Sequence, residues 1–190
     1  MESFDSMTWI LLAALVFFWA VGAYNRLVRL RAQTLQQFAV VDAQFVRLWA
    51  WVQGSLPASV RDAEAASDRA PGSLSDVWLA CEAFAESLAQ VRAQPLAAAP
   101  IQRVNIARVQ LFKLLRQEKD IFLSDDTAWF SDPLQKKFER LKTQSWPMIV
   151  AYNQAVQTYN DAASQWPARW LAERFRFEPA AKLDSADPLA

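Results

Sequence analysis

The amino-acid sequence predicts an all-α protein, in which an N-terminal transmembrane helix continues into an antiparallel up-down helical bundle of about four helices. Three observations lead to this prediction. A run near the start, from Ser6 to Asn25, contains no charged residue. Beyond it, apolar residues recur at steps of three and four, the spacing of one helix face. The 190-residue chain also has only 3 glycines, which disfavours a β fold rich in turns.

The charge-free run is long enough to cross a membrane. As a helix it measures about 30 Å, the thickness of a bilayer's hydrocarbon core. We therefore predict a short extracytoplasmic N-terminus over residues 1–6 and a transmembrane helix over 7–25. The predicted anchor residues are large and apolar: Trp9, Ile10, Leu11, Leu12, Phe17, Phe18 and Trp19.

The charges that flank the run predict its orientation. Acidic residues precede it, whereas Arg26, Arg29 and Arg31 follow it within a short stretch. Basic residues near a span favour the cytoplasmic side. The prediction is therefore a single-pass membrane protein with its N-terminus outside and its C-terminal domain in the cytoplasm.

The alternative for this run is a signal peptide that is cleaved near Ala23, because small residues stand at Val21-Gly22-Ala23. Cleavage there would yield an exported soluble helical bundle. The acidic start disfavours this alternative, since a signal peptide begins with a basic region. The run is also longer than the usual apolar region of such a peptide.

Residues 26–166 are predicted to form the bundle. The first helix should continue out of the membrane and end near Gln53, before Gly54 and Pro57. Residues 54–72 stay open, because polar, Ala-rich sequence without a wide apolar stripe is a marginal helix. A second helix should start at Ser73. The predicted stripes of helices one and two are Leu27, Leu30, Thr34, Phe38, Val41, Phe45, Leu48 and Val52, and Val77, Cys81, Phe84, Leu88 and Val91.

Two further stripes predict helices three and four. Pro100 suits the first turn of helix three, which should end at Ser124. Helix four contains Pro147, which removes a backbone hydrogen bond and predicts a kink near 142–146 or two helices joined end to end. The stripes are Val104, Ala107, Leu111, Leu114, Glu118 and Phe122, and Leu134, Phe138, Leu141, Ser145, Met148, Tyr152, Ala155, Tyr159, Ala162 and Trp166.

The C-terminal tail, residues 167–190, has an aromatic and basic composition. Trp166, Trp170, Phe175 and Phe177 alternate with arginines, which is typical of a segment at a membrane interface. An up-down bundle of four helices returns the chain to the membrane, next to Arg26. One hypothesis is that the tail lies against the membrane surface. The alternative, which we favour, is that these aromatic side chains cap the open end of the bundle.

Each of the 3 tyrosines is followed by asparagine, in the pairs Tyr24-Asn25, Tyr152-Asn153 and Tyr159-Asn160. The last two pairs are seven residues apart and share a helix face. A buried asparagine can fix the register of a helical seam, and we predict that role for these residues. The alternative is that the tyrosines pack and the asparagines face solvent.

The composition offers little to catalysis. The chain has no histidine, the commonest general base and metal ligand, and a single cysteine, Cys81, which should be a buried, inert thiol. The carboxylates of Asp125, Asp126 and Asp132 lack the spacing of a calcium loop. We predict no enzyme, no catalytic residue, no cofactor and no metal site. The alternative is a carboxylate-dependent enzyme in a bundle crevice, for which Glu118 is the one candidate in a seam.

Two separated segments carry a family resemblance. AYNRLVRLR (23–31) and VDAQF (41–45) follow the span, and AYNQAVQTYNDAASQWP (151–167) and FRFEPA (175–180) stand near the end. In this order they resemble the LemA family. RLWAWVQGSLPASV, after the second segment, departs from the family pattern. The resemblance implies a membrane-anchored helical bundle, usually bacterial and of the inner membrane, and brings no catalytic residues.

These observations predict a non-enzymatic adaptor or scaffold that binds other proteins at the membrane. The expected partners are membrane lipid, unidentified proteins and a second copy of the chain. All 20 Lys and Arg, but only 18 of the 20 acidic residues, follow residue 25. The resulting net charge of +2 does not indicate nucleic-acid binding, and we predict no nucleic-acid partner.

Overall fold

A computed structural model describes residues 2–57, 74–124 and 130–184, with the backbone alone for 2–6 and 118–124. The described chain is all-helical, as the sequence predicts. Four long helices and one short helix follow in order: α1 (Glu2–Ser55), α2 (Leu74–Ala93), α3 (Ala98–Ser124), α4 (Asp132–Ser164) and α5 (Ala168–Arg174).

Helix α1 runs without a break from the apolar segment into the bundle. Its predicted stripe is confirmed, because every member from Phe38 to Val52 is buried. Leu30 is half-buried, and the Thr34 hydroxyl donates to the Leu30 carbonyl at 3.0 Å. The helix ends two residues beyond the predicted Gln53. The stripe of α2, from Val77 to Val91, is buried in full.

The long helices pack antiparallel, and aromatic contacts fix their pairing. Phe38 in α1 meets Tyr152 in α4, with ring centroids 5.8 Å apart, and Trp51 stacks on Phe138 at 6.3 Å. Residue numbers therefore rise along α1 as they fall along α4. Helix α2 runs against α1 in the same way, since Phe45 meets Phe84 at 5.7 Å and Asp42 pairs with Arg92 at 3.0 Å. Helices α2 and α3 pack against each other across residues 94–97.

The stripes of α3 and α4 differ from the predicted ones by one residue in places. In α3 the buried positions include Arg108 and Leu115, whereas Ala107 and the predicted Leu114 are half-buried at the edge of the core. The predicted apolar stripe of α3 does not include Arg108, because arginine is rarely buried without a partner. In α4 the core residues are Ile149 and Val156, and not the predicted Met148 and Ala155. Trp166 lies beyond the end of α4.

Helix α4 continues through Pro147 as a single helix, so the alternative of two helices joined end to end is wrong. The predicted kink near 142–146 stays a prediction. In the preceding turn, side chains bond backbone carbonyls: Gln44 of α1 donates to Leu141 at 3.3 Å, and Ser145 donates to Lys142 at 2.7 Å. The carbonyl that Pro147 leaves without a helix donor is that of Thr143, four residues before it, so these side chains add bonds to the neighbouring carbonyls.

Several sequence predictions fall outside the described residues. The start of helix two at Ser73 and the carboxylates of Asp125 and Asp126 belong to this group, as do the side chains of Glu118 and Phe122. Most of the open segment 54–72 also lies there. The described Asp132 is exposed and pairs with Lys136 at 2.8 Å.

The centre of the bundle offers a direct test of the core. Phe84 is completely buried against Phe45. Replacing it with alanine should lower the free energy of unfolding by about 3–5 kcal/mol, because the cavity removes both transfer energy and packing. Thermal melts of the full-length protein in detergent, followed by circular dichroism, measure the change. Leu79→Ala is the control, since Leu79 is 56% exposed; equal losses in the two variants would contradict this account of the core.

Candidate functional site

The C-terminal segment Phe177–Asp184 is extended and lies along the bundle; we call it the C-terminal strap. Ala180 and Leu183 are buried in the main core, with 6% and 2% of their surface exposed. The bundle therefore does not end at residue 166, as the sequence predicted, because part of the tail belongs to its core. An extended single segment has no ladder of its own, so its backbone groups need partners from elsewhere.

Two asparagines of α4 supply these partners. The Asn153 side chain donates to the Leu183 carbonyl at 2.8 Å and accepts from the Leu183 N–H at 2.9 Å. Asn160 makes the same pair of bonds to Ala180, both at 2.9 Å. Seven residues of helix rise about 10 Å, and three residues of extended chain cover about the same distance. The distance between the two asparagines along α4 therefore matches the distance between Ala180 and Leu183 along the strap.

The tyrosines beside these asparagines bind the strap from the core side. The Tyr152 hydroxyl donates to the Ala181 carbonyl at 2.8 Å, and the Tyr159 hydroxyl to the Glu178 carbonyl at 2.9 Å. Burial raises the pKa of Tyr152 above its ordinary value. Burial also raises the pKa of Tyr159, where the charge of Arg31 acts in the opposite direction and that of Glu178 in the same one. Both phenols therefore stay protonated as donors at neutral pH.

Helix α3 holds the far end of the strap. The Asp184 N–H donates to the Asn105 side chain at 2.9 Å, and the Arg108 guanidinium donates to the Asp184 carbonyl. Arg108 is only 7% exposed, and its guanidinium lies 5.6 Å from the centre of the Phe45 ring. Burial lowers the pKa of Arg108, and the charge of Asp184 opposes that shift. Neither α3 residue stands out in the sequence, since three-residue spacing of two polar side chains is common on solvated faces.

The two Tyr-Asn pairs of α4 do lie together on one face, as their spacing predicts. Their asparagines bond the strap backbone, however, and not another helix of the bundle. The register role predicted for Asn153 and Asn160 is therefore replaced by binding of the strap. Asn25 does not join them, because it is exposed on α1.

The end of α4 returns to the start of the bundle, as predicted. Leu27 of α1, Ala162 of α4 and Ala172 of α5 form a small second core. Tyr24, at the end of the apolar run, meets Phe175 and Phe177 with ring centroids 5.1 and 5.7 Å apart. The tail and the end of the apolar run thus occupy the same level of the molecule.

The four predicted interfacial residues separate into two groups at this end. Trp166, Trp170 and Phe175 are 87%, 66% and 53% exposed, whereas Phe177 is half-buried and packs against the small second core. The predicted anchor residues, Trp9 to Trp19, are exposed as well. Helix α1 is a candidate membrane span with a mean hydropathy of 1.9 in its most apolar window, none of which is buried.

A cleft of about 380 Å³ opens beside this end of the molecule. Arg31 of α1 and Leu96 of the α2–α3 connection line one part of it, and Arg176, Glu178 and Pro179 line another. Arg31 is exposed, as are Arg26 and Arg29 on the same helix. The cleft therefore lies between the basic stretch after the apolar run and the start of the strap.

The described part of the chain offers neither a reactive thiol nor a candidate metal site. Cys81 is completely buried, and burial raises the pKa of its thiol to about 12, with Glu82 adding to the shift. The described residues contain no group of three or more cysteine or acidic side chains that could hold a metal ion.

Comparison with known proteins gives no match to a protein-family model, a curated protein or a solved structure. The resemblance to the LemA family therefore rests on the quoted segments alone.

The hydrogen bonds that Asn153 and Asn160 make to the strap can be tested one asparagine at a time. Asn160→Ala removes two hydrogen bonds to Ala180, each contributing about 0.5–1.5 kcal/mol. Hydrogen exchange of the Ala180 amide should become faster, while the Leu183 amide, held by Asn153, should change less. Asn160→Asp should also loosen the strap, because a carboxylate oxygen would face the Ala180 carbonyl.

Gln154→Ala is the matched control for these variants, since Gln154 is an exposed polar residue of the same helix. Mass spectrometry of peptides from the exchanged full-length protein locates the change. Unaltered exchange of the strap in Asn160→Ala would show that its amide does not hold the strap in solution.

Proposed function

We propose that this protein is a single-pass membrane-anchored helical bundle that acts as an adaptor or scaffold, without catalytic activity, and binds other proteins at the membrane surface. Its bundle lies on the cytoplasmic side. This orientation rests on the exposed arginines Arg26, Arg29 and Arg31 directly after the span, because basic residues favour the cytoplasmic side.

The proposed membrane anchor rests on one observation. Between Met7 and Val21 the large apolar side chains of α1 are exposed, whereas from Leu27 onward protein buries one face of the same helix. Exposed apolar patches of this extent are rare on soluble proteins. A bilayer supplies the missing apolar surroundings, and a helix satisfies all its own backbone groups there.

The aromatic end of the molecule supports the same arrangement. Phe175 is exposed and contacts Tyr24, where the apolar run stops. Trp166 and Trp170, which precede it in the same tail, are exposed as well. Trp and Tyr are favoured at the boundary between hydrocarbon and water. In our proposal these side chains rest on the membrane surface, while Phe177 caps the end of the bundle.

The adaptor role rests on a separate surface of the bundle. Ile106 and Val109 stand on the outer face of α3 with 59% and 53% of their surface exposed. Ile106 also borders a shallow groove of about 330 Å³ between α2 and α3, together with Ala83 and Arg103. An exposed apolar ridge with a polar margin suits binding of a protein. The likeness to LemA segments at both ends agrees with a membrane-anchored bundle.

A second candidate is an exported bundle, released by cleavage near Ala23. The contact of Tyr24 with Phe175 and the burial of Leu27 lie after this cleavage point, so both are kept if the preceding residues are removed. This candidate and the first differ in the mass of the mature chain and in its attachment to the membrane.

Alkaline extraction of cell membranes tests the anchor. The full chain should stay in the membrane pellet, because about 20 apolar residues hold it by insertion and not by charge. Its intact mass should include residues 1–23, and a reporter fused after residue 190 should be active in the cytoplasm. A mature chain that starts at Tyr24, or release at high pH, would support the exported bundle in place of the anchored one.

Photocrosslinking tests the adaptor role. A crosslinking amino acid at position 106 should capture a defined protein in intact membranes, because the exposed Ile106 ridge is the proposed contact. The control is the same amino acid at position 154, an exposed polar position of α4. The captured band should disappear when Val109 is changed to Glu. Identical products from positions 106 and 154 would argue against binding at this ridge.

A further inference from the structure

We propose that the cleft between Arg31 and Arg176 binds the phosphate of an anionic phospholipid headgroup. This inference rests on the membrane anchor proposed above and adds a specific lipid site to it.

The position of the cleft fits a headgroup. Arg176 lies between Phe175 and Phe177, whose rings contact Tyr24 at the end of the apolar run. Arg31 follows Tyr24 by seven residues, or about 10 Å along α1. The polar layer on each side of the hydrocarbon core is about 5–8 Å deep. Arg176 therefore lies at the level of this layer, and Arg31 lies just beyond its outer edge, from where its long side chain can reach back toward the layer.

The charges of the cleft fit a phosphate. Arg31 and Arg176 are exposed, and within the described part of the chain neither guanidinium belongs to an ion pair. The planar guanidinium group binds phosphate oxygens in a bidentate manner. Glu178 lines the same cleft and opposes an anion, so the site combines two positive charges with one negative charge. A volume of about 380 Å³ lies in the range of sites for small molecules.

The backbone at Arg176 adds an independent argument. Its φ angle is 55°, in the left-handed region that favours glycine. Helix α5 ends there in a Schellman motif, since the Phe177 N–H donates to the Ala172 carbonyl at 2.9 Å and the Arg176 N–H to the Glu173 carbonyl at 3.4 Å. Glycine would hold this turn with less strain. The arginine is thus unfavourable for the turn, and a ligand for its guanidinium explains why it stands there.

Native mass spectrometry of the full-length protein in detergent tests the site. Phosphatidylglycerol, phosphatidylcholine and inorganic phosphate are added in parallel. We expect one phosphatidylglycerol to bind with at least tenfold preference over phosphatidylcholine, because an unpaired guanidinium favours a net negative headgroup. Inorganic phosphate at the same concentration should not displace it, since the membrane level of the cleft favours a lipid-borne phosphate.

Variants with matched charges separate the cleft from the general basic surface. Arg31→Gln with Arg176→Gln should weaken phosphatidylglycerol binding about tenfold or more. Arg26→Gln with Arg29→Gln removes the same charge from the same end of the molecule, outside the cleft lining, and should have little effect. Glu178→Gln should strengthen binding several-fold, and its backbone carbonyl still accepts from Tyr159.

Arg176→Gly separates folding from binding. This variant should melt about 2–4 °C higher, because glycine suits the backbone conformation, and should still lose lipid affinity. Equal losses in the two double variants, an absence of lipid selectivity, or displacement by inorganic phosphate would each overturn the proposed site. Alkaline extraction reports on the anchor separately, so a protein that stays in the membrane without selective binding refutes the cleft alone.

Discussion

The two parts of helix α1 require different surroundings, although no break in the backbone separates them. From Leu27 to Val52 the helix provides the stripe on which α2, α4 and α5 pack, and protein buries it. Before Tyr24 its large apolar side chains are exposed. Because the helix is continuous, it determines the direction of the bundle relative to the apolar segment without a linker. The small core around Leu27 and the aromatic contacts of Tyr24 mark the level at which the exposed apolar part of α1 ends and the part that packs against protein begins.

The strap closes the bundle by a different kind of interaction. Helices satisfy their own backbone groups, but a single extended segment needs hydrogen-bond donors and acceptors from other parts of the protein. An asparagine amide offers one of each at a spacing that suits the N–H and carbonyl of a single residue. Asn153 and Asn160 repeat this contact at a distance that matches both a two-turn step of α4 and a three-residue step of the strap. The strap thereby ties α3 to α4 and brings Glu178, next to Arg176 in the cleft lining, to the cleft.

Much of the fold follows from local pattern. The stripes of α1 and α2 are predicted residue by residue, because a helix buried on one side must repeat apolar residues at steps of three and four. The pattern fails where a polar residue is buried: Arg108 replaces Ala107 in the core, since its guanidinium finds the Asp184 carbonyl and the Phe45 ring. Such partners are distant in sequence, so no local rule reveals them. The Tyr-Asn pairs are visible in the sequence as a motif. Their partner is an extended segment without a repeating apolar pattern, so the sequence does not reveal it.

By itself the sequence determined the all-helical class, the unburied apolar start of α1 and the return of α4 to the level of Tyr24, because helix length, periodicity and the order of elements are local properties of a chain. Only the tertiary structure decided what the seven-residue spacing of Asn153 and Asn160 within α4 binds, that Ala180 and Leu183 are core residues, and that Arg31 and Arg176 face one cleft. These features join segments more than a hundred residues apart, or join a helix to an irregular strand-like segment. Their energies come from contacts that exist only once the chain has folded.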